Sequence, residues 1–384
     1  MSMIRPRNAA VIVATAALSL LATPAPASGE DSTEAVTVVA KGLEGPRELQ
    51  FESGKLYVTE SDTGQISSVD TRSGAVTPVG EALGPNTAQG ADLVSGRLAI
   101  VTGEEGEPPD ATEPAPTPAP APTSTPFSSV LVAKPGSAPT QLADLLKYEL
   151  AKNPDGQRQF GPDPETGEEV PLDALSNPFY VLEQRGPGYV LVADGGANDV
   201  LSVSWRGKVS TFFVPPTVTT GECAGRENND PEHAGCDSVP TGLAYGPGRT
   251  LHVSALTGEA AGEGRIYVLD SRTGKQKRVI TGLSSPTGVA VSANGTVYVS
   301  ELLHNAPEFG PEGPPPGFDP ATVGRLVKIA PDGNRTYAAV TMPTGLAYHR
   351  GAVWASAWSI ASFVGIADAG QIIRVTDAAF SPAR

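Results

Sequence analysis

Short segments in which apolar and polar residues alternate recur along the chain, and three of them follow the same five-residue pattern. The pattern is Pro-Thr-Gly, an apolar residue and Ala, and it begins at Pro240, Pro286 and Pro343. After each copy come a turn and an alternating segment, at residues 251–254, 297–300 and 353–356. Alternation with a period of two indicates strands with one buried face. Units of this content that start 46 and 57 residues apart are typical of β-propeller blades.

Turn signals divide each unit into four strands. Blade 1 is predicted at 47–51, 55–60, 65–70 and 75–79, blade 2 from Gly90 through 98–102 and 128–133, and blade 3 at 179–182, 189–194, 200–204 and 208–214. The turn 70–74 of blade 1 returns as 270–274 in blade 4, with Asp first and Gly last in both. A further strand at 36–40 is expected to complete the last blade, because that pairing removes two open sheet edges. The predicted fold class is all-β: a six-bladed β-propeller of four-stranded blades over residues 36–384.

Three stretches interrupt the blade pattern. Residues 107–126 are rich in Pro, Ala and Thr, and residues 306–320 are rich in Pro and Gly, so both are predicted to be extended loops. A helix is predicted over Gln141–Lys152, because leucines recur there at helical spacing. The Asn-Pro-Asp-Gly sequence that follows ends the helix, so the inserted element covers 141–156.

The first thirty residues are predicted to lie outside the fold. Arg5 and Arg7 precede an apolar run that is short for a membrane span, and Ala25-Pro26-Ala27 is a small-residue cleavage sequence. Residues 1–27 are therefore interpreted as a Sec-type secretory signal peptide, with an uncleaved membrane anchor as the alternative. Residues 28–35 would be a flexible N-terminus, and the mature protein is expected to be secreted, with no membrane span.

Composition and charge narrow the possible partners. The chain has 43 Gly and 37 Pro among 384 residues, which fits many short strands and turns. Its formal net charge of −15 argues against nucleic acid, whose phosphates need a basic face. The expected partners are a small molecule or a protein, neither of which the sequence identifies.

The only two cysteines, Cys223 and Cys236, flank a polar loop. In an oxidising compartment they are expected to form a disulfide. A metal site is the alternative, although His233 is the only other candidate ligand of the Cys/His type in this loop.

The sequence resembles the ScyD/ScyE family over nearly the whole mature chain. The resemblance is carried by the stretches 148–156, 176–180, 192–201, 239–242 and 263–267. It implies an exported six-bladed propeller that is similar to NHL-type and gluconolactonase-type propellers. It implies no catalytic residues, and fold similarity alone does not carry a pathway over to this chain.

Acidic residues end the predicted second strand in alternate blades: Glu60 in blade 1, Asp194 in blade 3 and Glu301 in blade 5. If these positions face inward, the carboxylates converge on the channel mouth and could bind Ca²⁺, with Asn177 and Asn198 as further oxygen ligands. The alternative is that the acids cap strand ends, accept backbone N–H bonds and face water. Arg47, at the start of an inner strand, could clamp an anionic substrate or pair with Glu60.

These features support two main hypotheses. The first is a binding or scaffold propeller without catalysis, and the second is a metal-dependent lactonase or lyase acting at the channel mouth. A quinone-dependent sugar dehydrogenase is a third option, which the shortage of His and Arg near the channel disfavours. The sequence contains no G-x-S-x-G motif, phosphate loop or dinucleotide fingerprint.

Overall fold

A computed structural model of the chain describes residues 34–52, 54–104, 125–163, 166–186, 188–307 and 314–382. The predicted signal peptide, most of the 107–126 tract and the middle of the 306–320 loop lie outside the described residues.

The described strands form six four-stranded antiparallel sheets and one separate hairpin. The first strand of the chain is β1 (Val36–Leu43). Blade 1 contains β2 (Pro46–Glu52), β3 (Lys55–Glu60), β4 (Gln65–Val69) and β5 (Val76–Pro78). Blade 2 contains β6 (Ala88–Val94), β7 (Arg97–Thr102), β8 (Ser129–Ala133) and β9 (Thr140–Asp144). The helix α1 (Leu145–Lys152) and the hairpin of β10 (Phe160–Pro162) and β11 (Glu169–Pro171) follow.

The second half of the described chain repeats the same plan. Blade 3 contains β12 (Pro178–Glu183), β13 (Tyr189–Asp194), β14 (Asp199–Ser204) and β15 (Val209–Phe213). Blade 4 contains β16 (Pro240–Gly246), β17 (Thr250–Ala255), β18 (Gly264–Asp270) and β19 (Gln276–Leu283). Blade 5 contains β20 (Pro286–Val291), β21 (Val297–Glu301), β22 (Arg325–Ile329) and β23 (Arg335–Ala339). Blade 6 contains β24 (Leu346–His349), β25 (Ala352–Ala357), β26 (Gly370–Val375) and, as its outer strand, β1.

The six-bladed propeller predicted from the sequence is confirmed, including its closure. The first strand of each blade lies beside the first strand of the next, and β24 lies beside β2. The antiparallel pairing of β1 with β26 leaves no gap between the two ends of the described chain. An apolar cluster fills each of the six interfaces between neighbouring blades. No helix within the described ranges has the length and apolarity that crossing a bilayer would require.

The helix predicted over 141–152 is shorter than expected, and its first residues form a strand. Residues 140–144 pair with β8 as the outer strand of blade 2, so the leucine pattern spans two different elements. Asp144 ends that strand and caps the helix by accepting a hydrogen bond from the Lys147 N–H over 2.8 Å. Leu142 therefore lies in a strand, although its spacing from the other leucines predicts a helix.

The Pro-Thr-Gly motif joins blade 4 to blade 5, blade 5 to blade 6 and blade 6 to blade 1. The threonine hydroxyl donates to the carbonyl of the residue that opens the following blade, from Thr241 to Pro286 (3.0 Å), from Thr287 to Pro343 (3.1 Å) and from Thr344 to Pro46 (3.0 Å). The glycine permits this approach: a Cβ at Gly345 would collide with the carbonyl of Arg47. We call this contact the blade-to-blade hydrogen bond. The three copies of the motif therefore make the same contact at three of the six interfaces.

Replacing Thr344 with Val tests this contact at the junction of blades 6 and 1. The change keeps the shape of the side chain but leaves the buried Pro46 carbonyl without its donor, so we expect the free energy of unfolding to fall by about 1–3 kcal/mol. Denaturant unfolding followed by tryptophan fluorescence measures the change. The matched control is Thr77→Val on the exposed strand β5, where we expect a change below about 0.5 kcal/mol. Equal effects at the two positions would contradict the role of the motif.

Candidate functional site

One face of the propeller carries the long connections, and we call it the insertion face. It is the face at which the second strand of each blade ends and the next blade begins. The α-helix α1 and the β10–β11 hairpin lie in the connection from blade 2 to blade 3 on this face. The opposite face carries short turns. The insertion face therefore holds most of the sequence that differs from blade to blade.

The disulfide predicted between Cys223 and Cys236 is present. It closes the connection from blade 3 to blade 4, and backbone hydrogen bonds between Val218 and Cys236 lie beside it. Both cysteines are buried with Val218 and Ala260 in a small apolar cluster. The bridge therefore gives this polar loop a local core on the insertion face.

The three strand-end acids proposed for the channel mouth are buried, and each is bonded within its own blade. Glu60 accepts from the backbone N–H of Glu44 over 3.0 Å. Asp194 accepts in the same way from Asn177 over 2.7 Å, and Glu301 from Ser284 over 2.7 Å. Each donor lies one or two residues before the first strand of that blade. The shared task of the three carboxylates is thus to hold the entry to their blades.

Further contacts use the remaining oxygens of these acids. Ser67 donates to Glu60, Ser176 donates to Asp194, and the Arg325 guanidinium forms an ion pair with Glu301. Within the described ranges, no three His, Cys, Asp or Glu side chains are grouped so that they could hold a metal ion. The calcium interpretation of Glu60, Asp194 and Glu301 therefore gains no support. The expectation that such acids face water also does not hold, because all three are buried.

Arg47 and Asn177 connect neighbouring segments at the start of blades 1 and 3. The Arg47 Nε donates to Ser61 over 2.9 Å, and no described ion pair joins it to Glu60. Asn177 exchanges two hydrogen bonds with Glu104 at the end of blade 2, one from its side-chain amide and one to its side-chain oxygen. Both residues thus act in the packing between segments of the insertion face.

The central channel is crossed by Glu48, which sequence reasoning did not select. Glu48 occupies the position that is glycine in the Pro-Thr-Gly motif, and its carboxylate passes over Gly90 of blade 2 to accept from the Val181 N–H of blade 3 at 3.1 Å. Gln50 donates to Glu48 over 2.9 Å and to the Tyr180 hydroxyl over 3.3 Å. Burial raises the pKa of Glu48 well above its usual range. The sequence signal that could have revealed this contact is the loss of glycine from the motif in blade 1.

A small cavity on the insertion face of blade 3 is surrounded by acids, and we call it the acidic pocket. Its volume is about 20 Å³, and it lies between the end of α1, the segment after it, the 195–198 turn and the disulfide loop. Glu149, Asp155 and Asn198 line it. Burial raises the pKa of Glu149 to about 7. Burial, together with the charges of Asp194, Glu149 and Asp155, raises the pKa of Asp199 well above its usual range.

A larger cavity, the apolar cleft, separates the outer parts of blades 1 and 2. Its volume is about 420 Å³. Most of its lining residues have apolar side chains, among them Ile66, Leu83, Leu98, Ile100 and Leu131. The cleft exists because β5 has only three residues, so blade 1 does not cover the facing strands of blade 2. The apolar cluster at this interface is correspondingly the smallest of the six.

Comparison with known proteins supports the fold and no finer conclusion. No protein-family model and no curated protein matches the chain. A gluconolactonase from Xanthomonas campestris has 10% identity and a TM-score of 0.50, over 88% of this chain and 89% of its own. A protein of unknown function from Bacteroides thetaiotaomicron has 11% identity and a TM-score of 0.50, over 88% of this chain and 75% of its own. A streptogramin B lyase has 13% identity and a TM-score of 0.48, over 91% of this chain and 100% of its own.

Asp92, beside the Glu48 contact, gives a pH test of buried acids in this region. Burial raises its pKa to about 6, and the Glu183 N–H donates to it over 2.7 Å. Because its folded pKa lies above the unfolded value near 3.8, the folded protein binds the extra proton. The contribution of this group to stability is therefore fully present below about pH 4 and is lost as the pH rises through about 6.

We expect Asp92→Asn to remove this pH dependence. Between pH 4.5 and 7, the free energy of unfolding of the unmodified protein should fall by roughly 1–3 kcal/mol more than that of the variant. The matched control is Asp70→Asn in an exposed turn, where backbone N–H bonds from Ser73 and Arg72 lower the pKa instead. That control should follow the unmodified protein over the same range, and parallel curves for Asp92→Asn would contradict the prediction.

Proposed function

We propose that the protein is an exported binding protein that holds a small apolar molecule in the apolar cleft between blades 1 and 2. The cleft itself is the observation that supports this proposal. Its volume of about 420 Å³ lies in the range of sites that enclose small organic ligands. Among its lining residues only Glu81, Thr125, Ser137 and Gln141 have polar side chains, so burial of the apolar side chains would contribute to binding, and the polar groups of the wall would orient the ligand.

The strand arrangement explains why the cleft can stay open in a folded propeller. Leu98, Ile100 and Leu131 are held by β7 and β8, which pair in register in the middle of blade 2. Thr125, at the edge, donates to the Leu83 carbonyl over 2.8 Å and ties the two sides together. A wall built on paired strands keeps its shape without a ligand, which lowers the entropy lost on binding.

The alternative of a lactonase or lyase at the channel mouth has less support. The carboxylate oxygens of Glu60, Asp194 and Glu301 accept hydrogen bonds from groups of their own blades. Glu48 also fills the channel space over Gly90. Carboxylates that are already satisfied are poorly placed to polarise a substrate. The activities of the gluconolactonase and the streptogramin B lyase are not transferred, since the likeness concerns the fold.

Export is part of the proposal, and two features favour it. The N-terminal sequence has the pattern of a secretory signal peptide. The disulfide between Cys223 and Cys236 is of a kind that persists in oxidising compartments.

Filling the cleft tests the proposed function. Ala133 lines the cleft, and replacing it with Leu places three more carbon atoms in the space. We expect Ala133→Leu to weaken binding of the uncharged fluorophore N-phenyl-1-naphthylamine by about tenfold, because lost contact area of this size corresponds to roughly 1–2 kcal/mol. Fluorescence titration of the purified chain measures the dissociation constant.

The matched control makes the same substitution in a different cavity. Ala347 lines a cavity of about 280 Å³ at the other mouth of the channel, so Ala347→Leu should leave fluorophore binding unchanged. Thermal unfolding of both variants verifies that they fold. The proposal is wrong if the unmodified protein does not bind the fluorophore, or if Ala347→Leu weakens binding and Ala133→Leu does not.

A further inference from the structure

The acidic pocket contains an unusual concentration of oxygen atoms without hydrogen-bond donors. Across the described residues, eight buried side-chain nitrogen or oxygen atoms have no hydrogen-bond partner. Five of the eight belong to four residues at or beside this pocket. Glu149 Oε2 and Asn198 Oδ1 belong to lining residues, while Asn153 Oδ1 and both carboxylate oxygens of Asp199 belong to residues close to the lining in the chain. Buried polar atoms in native proteins are paired in the great majority of cases, so this concentration requires an explanation.

All five atoms are acceptors, which indicates what is missing. One water molecule donates two hydrogen bonds and could not satisfy five oxygens. None of the described ion pairs involves Glu149, Asp155 or Asp199, so protein cations do not compensate the charge. The guanidinium of Arg158, which also lines the pocket, donates to the Phe160 carbonyl. A group that accepts electron density from several oxygens at once is a metal cation.

The neighbouring acids show that the local fold can satisfy carboxylates where it needs to. Asp230 accepts from the backbone N–H groups of Arg158 and Glu232 and contacts His233. Asp194 accepts from Ser176, Asn177 and Ala197. Asp199, in contrast, is completely buried and has no donor. The unsatisfied oxygens are therefore a property of one place and not of the acidic surface in general.

We propose that the acidic pocket is a calcium site in which Glu149, Asn198 and Asp199 supply ligand oxygens. Glu149 and Asn198 are only 3% and 4% exposed, and both line the cavity. The cavity of about 20 Å³ is large enough for one water-sized body. Carboxylate and amide oxygens in an irregular arrangement suit Ca²⁺, which accepts flexible geometry, better than Mg²⁺, which requires a regular octahedron.

The position of the site gives the cation a structural task. Glu149 lies on α1, Asn198 and Asp199 lie at the start of β14, and Asp155 links them by accepting from the Asn198 amide over 3.3 Å. The carboxylates cannot form a complete ligand shell by themselves, since no three acidic groups are grouped as metal ligands in the described chain. The amide oxygen of Asn198 completes the set. Bound calcium would fasten the connection between blades 2 and 3 to blade 3.

Calcium-dependent thermal unfolding of the full chain tests the proposal. After treatment with EDTA and removal of the chelator, added Ca²⁺ at pH 7.5 should raise Tm in proportion to the logarithm of its concentration. Asp199→Asn and Glu149→Gln should weaken the calcium response at least tenfold. Asp199→Asn should also raise Tm in EDTA, because it removes a buried charge without a partner, and that rise would show that the variant folds.

Control variants separate this site from a general effect of acidic residues. Asp92→Asn removes another buried acid with a raised pKa and should keep the full calcium response. Asn198→Gly removes the amide oxygen at a backbone position with φ of 52°, which glycine adopts easily, and should lose the response. Elemental analysis after dialysis against Ca²⁺ should find one bound calcium per chain in the unmodified protein and none in Asp199→Asn.

Several results would overturn the proposal. One is a Tm of the unmodified protein that does not change with added Ca²⁺. Another is an equal response to Mg²⁺ at the same concentration. A third is a calcium response that survives in both Glu149→Gln and Asn198→Gly. These readouts do not depend on the apolar cleft, so the two proposals can fail separately.

Discussion

The hydrogen bond from a threonine of one blade to a carbonyl at the start of the next fixes neighbouring blades at three of the six interfaces, including the one that closes the ring. Backbone hydrogen bonds between strands hold each blade together. These hydrogen bonds do not fix the position of one blade relative to its neighbour. The apolar clusters between blades supply most of the energy, and they are not directional. The buried threonine hydroxyl adds a directional hydrogen bond, and the glycine beside it allows the two blades to approach closely. At Thr344 and Pro46 the same contact joins the end of the described ring to its beginning.

The departures from this contact shape the rest of the molecule. Blade 1 has Glu48 and blade 3 has Tyr180 where the motif has glycine, and Gly90 of blade 2 lies between them. The glutamate fills the space that Gly90 leaves open, so side chains occupy the axis at this level. The channel is closed at this level, and a cavity of about 280 Å³ remains at its other mouth. The larger apolar cleft and the acidic pocket lie away from the axis, between blades and among the insertions.

The repeats made the architecture predictable. The contacts that each polar side chain makes could not be predicted from them. Three copies of one motif and an unpaired N-terminal strand were enough to predict six blades and their closure. The predicted helix was too long because residues 140–144 pair with the preceding strand β8, and the spacing of the leucines does not reveal that pairing. Glu60, Asp194 and Glu301 were predicted as metal ligands because a sequence shows where carboxylates are but not which groups donate hydrogen bonds to them. Glu149 and Asp199 lay outside the pattern, since they belong to an insertion and to a third strand.

The distinction between these two groups of acids is physical. A buried carboxylate loses its hydration, and the fold has to return hydrogen bonds or charge to compensate. The strand-end acids accept hydrogen bonds from backbone N–H groups at the entry of their own blades, and both oxygens of each carboxylate have a partner within the chain. Asp199 receives none, and the charges of Asp194, Glu149 and Asp155 raise the energy of its ionised form further. Either the ionised form is absent, or something from outside the chain supplies the charge. Glu149 and Asn198 line one small cavity, and Asp199 follows Asn198 in the chain. One external cation would compensate these three residues together, whereas protonation would have to act on each carboxylate separately and would leave the amide oxygen of Asn198 unexplained.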